Sequence, residues 1–316
     1  MSELARAVQD YLDTRRALGF KLIREGHLLG QFAAFMDQAG LTTITTDAAL
    51  AWATQPVDAD PYWWGMRLGV VRTFASWLTA FDPGTQVPPA DLLVCRTRRA
   101  EPYPYTDTDI AALMAAAATI AHPLRAATYQ TLVGLLAVTG MRVGEAINLD
   151  RADLDPAGAV LTICHTKFDK SRELPLHPST IDALAAYARV RDRACPHPST
   201  PALLVSIVGT RLIYKNVHQT WLDLVRQAGL RPRSPRCRPR IHDLRHRFAI
   251  TTLLGWYQGG ADIPARLPQL STYLGHVDPS ATYWYLRGAP QLLALAAQRL
   301  ETHQGGARDD HPGPRP

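Results

Sequence analysis

Lysine is scarce in this 316-residue chain. Four lysines (Lys21, Lys167, Lys170 and Lys215) stand against thirty arginines, and with abundant alanine and proline the skew reads as the imprint of a GC-rich genome. It makes each remaining lysine worth weighing. Cysteine is sparse too: Cys95, Cys164, Cys195 and Cys237 form no C-x-x-C pair, which argues against a zinc site. A chain kept inside the cell would hold them reduced, and no role is assigned to them. Long apolar runs are missing; the longest, around residues 132–138, lies between Gln130 and Thr139. That is short of the roughly 18 residues of a membrane span. The opening stretch MSELARAVQDYLD is polar and amphipathic, without the apolar centre of a secretory signal. The expectation is a cytoplasmic protein with no membrane partner. There is no Asp/Glu cluster suited to magnesium, no other metal site and no internal repeat.

What is present is a globular composition. Hydrophobic residues make up 47% and charged residues 20%, which excludes a wholly disordered chain. The length suggests two domains. The net charge of +6 is unevenly placed: residues 1–99 hold ten basic and ten acidic residues, and the remainder 24 against 18. Residues 226–247 alone hold eight arginines and a single acid, Asp243. Such a concentration points to a polyanionic partner, most simply nucleic acid; the plainer alternative is a solvated basic loop.

Apolar spacing predicts four helices in residues 1–82, through Leu4, Val8 and Leu12, through Leu28, Leu29, Phe32, Phe35 and Met36, over 48–54, and over 62–81. The last has Trp63, Met66, Val70, Phe74 and Trp77 as its expected core stripe, with Arg67 and Arg72 off it. Residues 83–105 are Pro-rich, aperiodic and basic at Arg96, Arg98 and Arg99, and read as a linker. The second unit, 106–304, opens on a helix capped at Thr106, followed by a helix over 125–139 that Gly140 ends. Residues 148–155 read as a turn region. A β-hairpin spans 159–165 and 172–177, and further helices cover 179–191, 217–229, 243–257, 264–274, 280–285 and 290–302. The tail, 305–316, reads as disordered. The fold class is mainly α with a small β-sheet.

Four separated segments share one polar character: TGMRVGE at 139–145, the hairpin loop with Lys167 and Lys170, HDLRH at 242–246, and LGH at 274–276 followed nine residues on by Tyr285. His242 and Arg245 stand three apart on an expected helix. Two arginines can grip the non-bridging oxygens of a phosphodiester and neutralise the charge of a pentavalent transition state. A lysine can protonate a leaving 5′-oxygen. A tyrosine hydroxyl can attack phosphorus and become covalently attached. This chemistry needs no cofactor.

These residues resemble the tyrosine recombinases of the phage-integrase class. TGMRVGEAINL is similar to the family's first-arginine motif, IHDLRHRFAI to its His-x-x-Arg motif, and YLGHVDPSATYWY to its Leu-Gly-His segment and nucleophile. The resemblance covers nearly the whole chain and implies a helical core-binding domain at 1–82 joined to an α+β catalytic domain at 106–304, closing as a clamp on double-stranded DNA. It implies that Arg142 and Arg245 bind the scissile phosphate, that His242 and His276 assist there, and that Glu145 supports them. Lys167 would be the general acid, with Lys170 as the alternative, and Tyr285 the nucleophile, with Tyr283 as the alternative. Arg96, Arg98 and Arg99, with Arg231, Arg233, Arg236, Arg238 and Arg240, would face DNA phosphates. Four protomers would join through the C-terminal helix at 290–302, alone or with other recombinases, and exchange strands through a Holliday junction in integration, excision or transposition near the nucleoid. The segment from Leu267 to Leu293 is similar to transposon-associated members. Two features depart from the family pattern: the lysine loop HTKFDKSRELPL, where many relatives carry glycine beside the lysine, and Arg287-Gly288, where many carry a histidine two residues after the tyrosine. A type IB topoisomerase-like nicking-closing enzyme and a catalytically silent DNA-binding accessory protein are the competing readings.

Overall fold

The computed structural model describes residues 2–93, 100–164, 171–276 and 282. The chain divides into two compact units, Met1–Arg99 and Ala100–Pro316. Among the described residues, no helix is long and apolar enough to cross a membrane.

The first unit is built from helices α1 (Glu3–Ala17), α2 (Ile23–Gln38), α3 (Thr46–Thr54) and α4 (Pro61–Leu78). Their starts are written locally: the side chains of Ser2, Thr45 and Asp60 accept hydrogen bonds from the backbone N–H groups of Ala5, Ala48 and Tyr62. Pro61, which has no N–H to leave unpaired, follows Asp60. Leu29, Phe32, Met36, Ile44, Trp52, Leu68 and Phe74 close the core. The Pro-rich stretch extends this unit, for Gln86 N–H donates to the Ile44 carbonyl and Arg72 Nε to that of Pro88.

Helix α4 turns a wider face inward than its aromatic residues suggest: Phe74 is fully buried and Met66, Val70 and Trp77 pack against the same core. Its buried residues are Gly65, Arg67, Leu68, Val71, Phe74, Ala75 and Leu78, whereas Trp63 is exposed. Arg67, placed off the stripe by the sequence pattern, is only 7% exposed. Its guanidinium lies 3.8 Å over the Trp52 ring and donates from Nη2 to the Trp52 carbonyl at 2.7 Å. A flat, weakly hydrated cation stacked on indole can replace an apolar side chain in a core, and burial lowers its pKa.

The second unit holds α5 (Asp107–Ala118), α6 (Pro123–Thr139), α7 (Val143–Asn148), α8 (Pro178–Ala194), α9 (Tyr214–Gln227), α10 (Asp243–Gln258) and α11 (Ile263–Leu274). Helix α5 starts with a capping box, Thr106 and Asp109 each bonding the other's backbone N–H. Helix α6 is buried nearly all round, through Leu124, Tyr129, Leu132, Val133, Leu135 and Leu136, and packs against α5, α8 and α10. The segment 148–155 is more than a turn. It closes α7, forms a 3-10 turn at Arg151–Asp153, and adds strand β1 (Leu154–Asp155) to the expected hairpin of β2 (Val160–Ile163) and β3 (Arg172–Pro175). The resulting antiparallel order is β1-β2-β3, with Leu161 opposite Leu174 and Ile163 opposite Arg172. Leu161, Ile163 and Leu174 are buried in the unit's core. Residues 100–105 also belong here: Tyr103 and Tyr105 are buried, and Tyr103 N–H donates to Asp243. Apart from Thr282, the expected helix at 280–285 lies outside the described residues, as do the helix at 290–302 and the tail from 305.

Replacing Trp52 by alanine removes the largest fully buried side chain of the first unit and the platform under Arg67. The full chain should lose about 3–5 kcal/mol in that unit, read as an earlier transition in urea unfolding followed by tryptophan fluorescence.

Candidate functional site

The end of α11 organises the site. A helix C-terminus leaves its last carbonyls without intrahelical donors and carries partial negative charge. Three arginines from three other elements fill those positions. Arg172, opening β3, donates from Nε to the Tyr273 carbonyl at 2.8 Å. Arg245, in the first turn of α10, donates from Nη2 to Leu274 at 2.6 Å. Arg142, just before α7, donates from Nη2 to Gly275 at 3.2 Å. Arg245 also donates from Nη1 to the Gly140 carbonyl at 2.9 Å and is 2% exposed.

Two glycines make this approach possible. Gly140 ends α6 at φ +61°, and a β-carbon there would lie 2.5 Å from the Phe248 ring. Gly275 ends α11 at φ +67°, where a β-carbon would lie 2.7 Å from Arg172 Nη1. Both combine a left-handed backbone with a neighbour that leaves no room for a side chain.

One carboxylate serves two of the arginines. Glu145 Oε2 accepts from Arg142 N–H at 2.8 Å and from Arg172 Nη2 at 2.7 Å. Its Oε1 accepts from Arg142 Nη1 at 2.8 Å and Arg172 Nη1 at 3.1 Å. Burial pushes the Glu145 pKa up, but the hydrogen bonds from Arg172 and Arg142 outweigh it and hold the group below its ordinary value. The side chains of Glu145 and Arg172 are nearly buried, whereas that of Arg142 is 41% exposed.

His276 follows Gly275, with Nδ1 2.7 Å from the Thr282 hydroxyl. Its burial, and then the positive charges of Arg245, Arg142 and Arg172, lower its pKa to about 4. His242, immediately before α10, keeps an exposed edge; the protein around it, then Arg245, lowers its pKa as well. Arg142, Arg245, His242, His276 and Glu145 therefore share one neighbourhood. The proposed Lys167 and Tyr285, with their alternatives Lys170 and Tyr283, lie outside the described residues.

The basic loop is less uniform than its sequence. Arg231, Arg233, Arg236 and Arg238 are exposed. Arg240 instead forks onto Asp243, at 3.0 Å from Nε and 2.8 Å from Nη2. Arg96, Arg98 and Arg99 lie outside the described residues. Among those described, no group of three or more His, Cys, Asp or Glu side chains is arranged to hold a metal ion.

The residue that the sequence reading passed over is Arg172, treated only as the edge of a strand. Its one local signal was a basic residue opening the second strand of the hairpin; the partner, Glu145, lies 27 residues earlier.

The phage integrase family matches over residues 105–291. A protein of Sinorhizobium fredii named "Putative integrase/recombinase y4rB" is 47% identical over 307 residues, covering 95% of this chain and 98% of the relative. Tyrosine recombinase XerC of Mycobacterium bovis is 30% identical over 285 residues, covering 87% of this chain and 89% of its own length. Among solved structures, the Tn1549 transposon integrase in complex with transposon right-end DNA aligns at TM-score 0.65 and 15% identity, over 96% of this chain and 99% of the other. A lambda integrase tetramer bound to a Holliday junction aligns at TM-score 0.58 and 17% identity, over 89% and 76%. These two likenesses establish the fold.

Glu145→Gln keeps the shape of the fork and removes its charge. Because the folded-state pKa of Glu145 is depressed, its contribution to stability is present above the unfolded-state value of about 4.3 and is lost as pH falls through the folded-state value. Wild type should therefore lose urea resistance relative to Glu145→Gln as pH is lowered from 5 to 3. Near pH 7 the variant should be weaker by about 1–3 kcal/mol.

Proposed function

The chain belongs to the phage integrase family, and we propose that it is a site-specific DNA recombinase that cuts and rejoins duplex DNA through a 3′-phosphotyrosyl intermediate. The observation that carries this reading is the convergence of Arg142, Arg245, His242 and His276 around the end of α11, in a chain that carries the Tyr285 motif just beyond. Arg142 and Arg245 neutralise the non-bridging oxygens of the scissile phosphate, and their charge stabilises the pentavalent transition state. No metal is required for that neutralisation. His276, neutral at pH 7, can take the proton that Tyr285 gives up. The Tyr285 oxygen bonds to phosphorus as the bond to the 5′-oxygen breaks, and Lys167 supplies a proton to the leaving oxygen. The reverse sequence rejoins a second strand without an external energy source, because the phosphotyrosyl ester keeps the bond's reactivity.

The first unit, in this reading, is the core-binding domain, and each unit contacts DNA. Arg231, Arg233, Arg236 and Arg238, exposed and close in sequence, track the phosphate backbone with Arg96, Arg98 and Arg99. Arg240 contributes less because Asp243 already holds it. The lambda integrase neighbour, a tetramer on a Holliday junction, supports assembly of four protomers on two sites, with the segment 290–302 as the docking element.

Covalent trapping tests the chemistry. With nicked DNA from the gene's own genetic surroundings, in the presence of a chelator, wild type should give a slow-migrating protein–DNA band on a denaturing gel. Tyr285→Phe should lose that band and Tyr283→Phe should keep it. Loss in Tyr283→Phe alone would move the nucleophile; tight binding without any band would favour a DNA-binding accessory role.

Salt dependence tests the loop. The slope of log affinity against log salt should flatten by about 0.9 for each phosphate contact removed. Alanine at Arg231, Arg233, Arg236 or Arg238 should flatten it in fluorescence anisotropy, and Arg240→Ala should do so least.

A further inference from the structure

We infer that Arg172 is a positioning residue for the strand-transfer reaction, holding Glu145 and the end of α11 so that the charge of Arg142 is left for the scissile phosphate. This rests on the functional reading above and assigns a role to a residue outside its motifs.

Three observations carry it. First, Arg172 is turned inward: its side chain is 9% exposed, and Nε, Nη1 and Nη2 each donate within the protein, to Tyr273, to Glu145 Oε1 and to Glu145 Oε2. A guanidinium so engaged does not reach out to a phosphate. Second, Glu145 carries one negative charge and touches two guanidinium groups, so the trio keeps a net charge of about +1. The fork from Arg172 takes both carboxylate oxygens, whereas Arg142, half exposed, gives one side-chain nitrogen to Glu145 and another to Gly275. Without Arg172, the carboxylate would pair with Arg142 alone and cancel the charge that the phosphate requires. Third, Arg172 packs against Gly275, beside His276 and the carbonyl that Arg142 holds. One side chain thus ties β3, the start of α7 and the end of α11 together.

The test compares cleavage rates of wild type, Arg172→Ala, Arg172→Lys, Arg172→Gln and Arg142→Ala at saturating protein. Two substrates are used: nicked DNA with an ordinary scissile phosphate, its position mapped by sequencing the strand that wild type traps, and the same DNA with a methylphosphonate there. The methyl group removes the charge at phosphorus, so residues that serve to neutralise it lose their effect. On the phosphate, Arg172→Ala should slow cleavage by about 100-fold, the scale of a small misplacement of a reacting group. Arg172→Lys, which keeps the charge, should recover part of the rate, and Arg172→Gln should not. On the methylphosphonate, the deficits of Arg172→Ala and Arg142→Ala should shrink together.

Equal Arg172→Ala deficits on both substrates, or full activity in Arg172→Gln, would overturn the inference. If Arg172→Ala does not fold, the Lys and Gln pair decides by the same comparison. A wild type that traps no DNA, or an Arg142→Ala deficit that ignores the methylphosphonate, would instead count against the functional reading itself.

Discussion

Among the described residues, the arginines of the site are referred to one carboxylate and one helix end. Glu145 sits between Arg142 and Arg172, and the carbonyls at the end of α11 receive those two and Arg245. Three cations held in one neighbourhood repel one another, and burying them would be unfavourable without fixed acceptors. The carbonyl ends and Glu145 provide those acceptors, and the three arginines with Glu145 stay net positive. Without Glu145, the buried Arg172 would be left uncompensated.

The same surplus explains the histidines. His276 is held near pKa 4 by burial and by the arginines around it, and His242 is shifted in the same direction. Both are neutral near pH 7 in the free protein. A bound phosphate would bring negative charge to the same place and so relax that depression, which couples substrate arrival to the proton affinity of the rings.

Much of this was legible in the sequence. The start of α5 was readable because Thr106 acts through a bond three residues long. Gly140 was readable as a helix end, and Arg142, His242, Arg245 and His276 as members of one site, since each stands in a local pattern. What was not legible depended on distance along the chain. Arg172 finds Glu145 across 27 residues and Tyr273 across 101. Arg67 finds Trp52 across 15 residues, and that stacked pair adds a charged side chain to the buried face of α4. Arg240, indistinguishable in sequence from the other arginines of its loop, is set apart by Asp243 three residues on. Strand β1 was missed because two residues are too few to show alternation.

The arginines at the end of α11 grip main-chain oxygens at Tyr273, Leu274 and Gly275, not side chains. Anchorage of that kind is blind to amino-acid identity at positions 273 and 274 and depends only on where the backbone runs. Relatives can therefore change residues 273 and 274 without disturbing the anchorage, provided Gly275 is kept and the helix stops at the same place. An insertion or deletion of one residue in α11, harmless to composition, would move all three oxygens at once. Evolution in this segment should tolerate replacement far better than change of length.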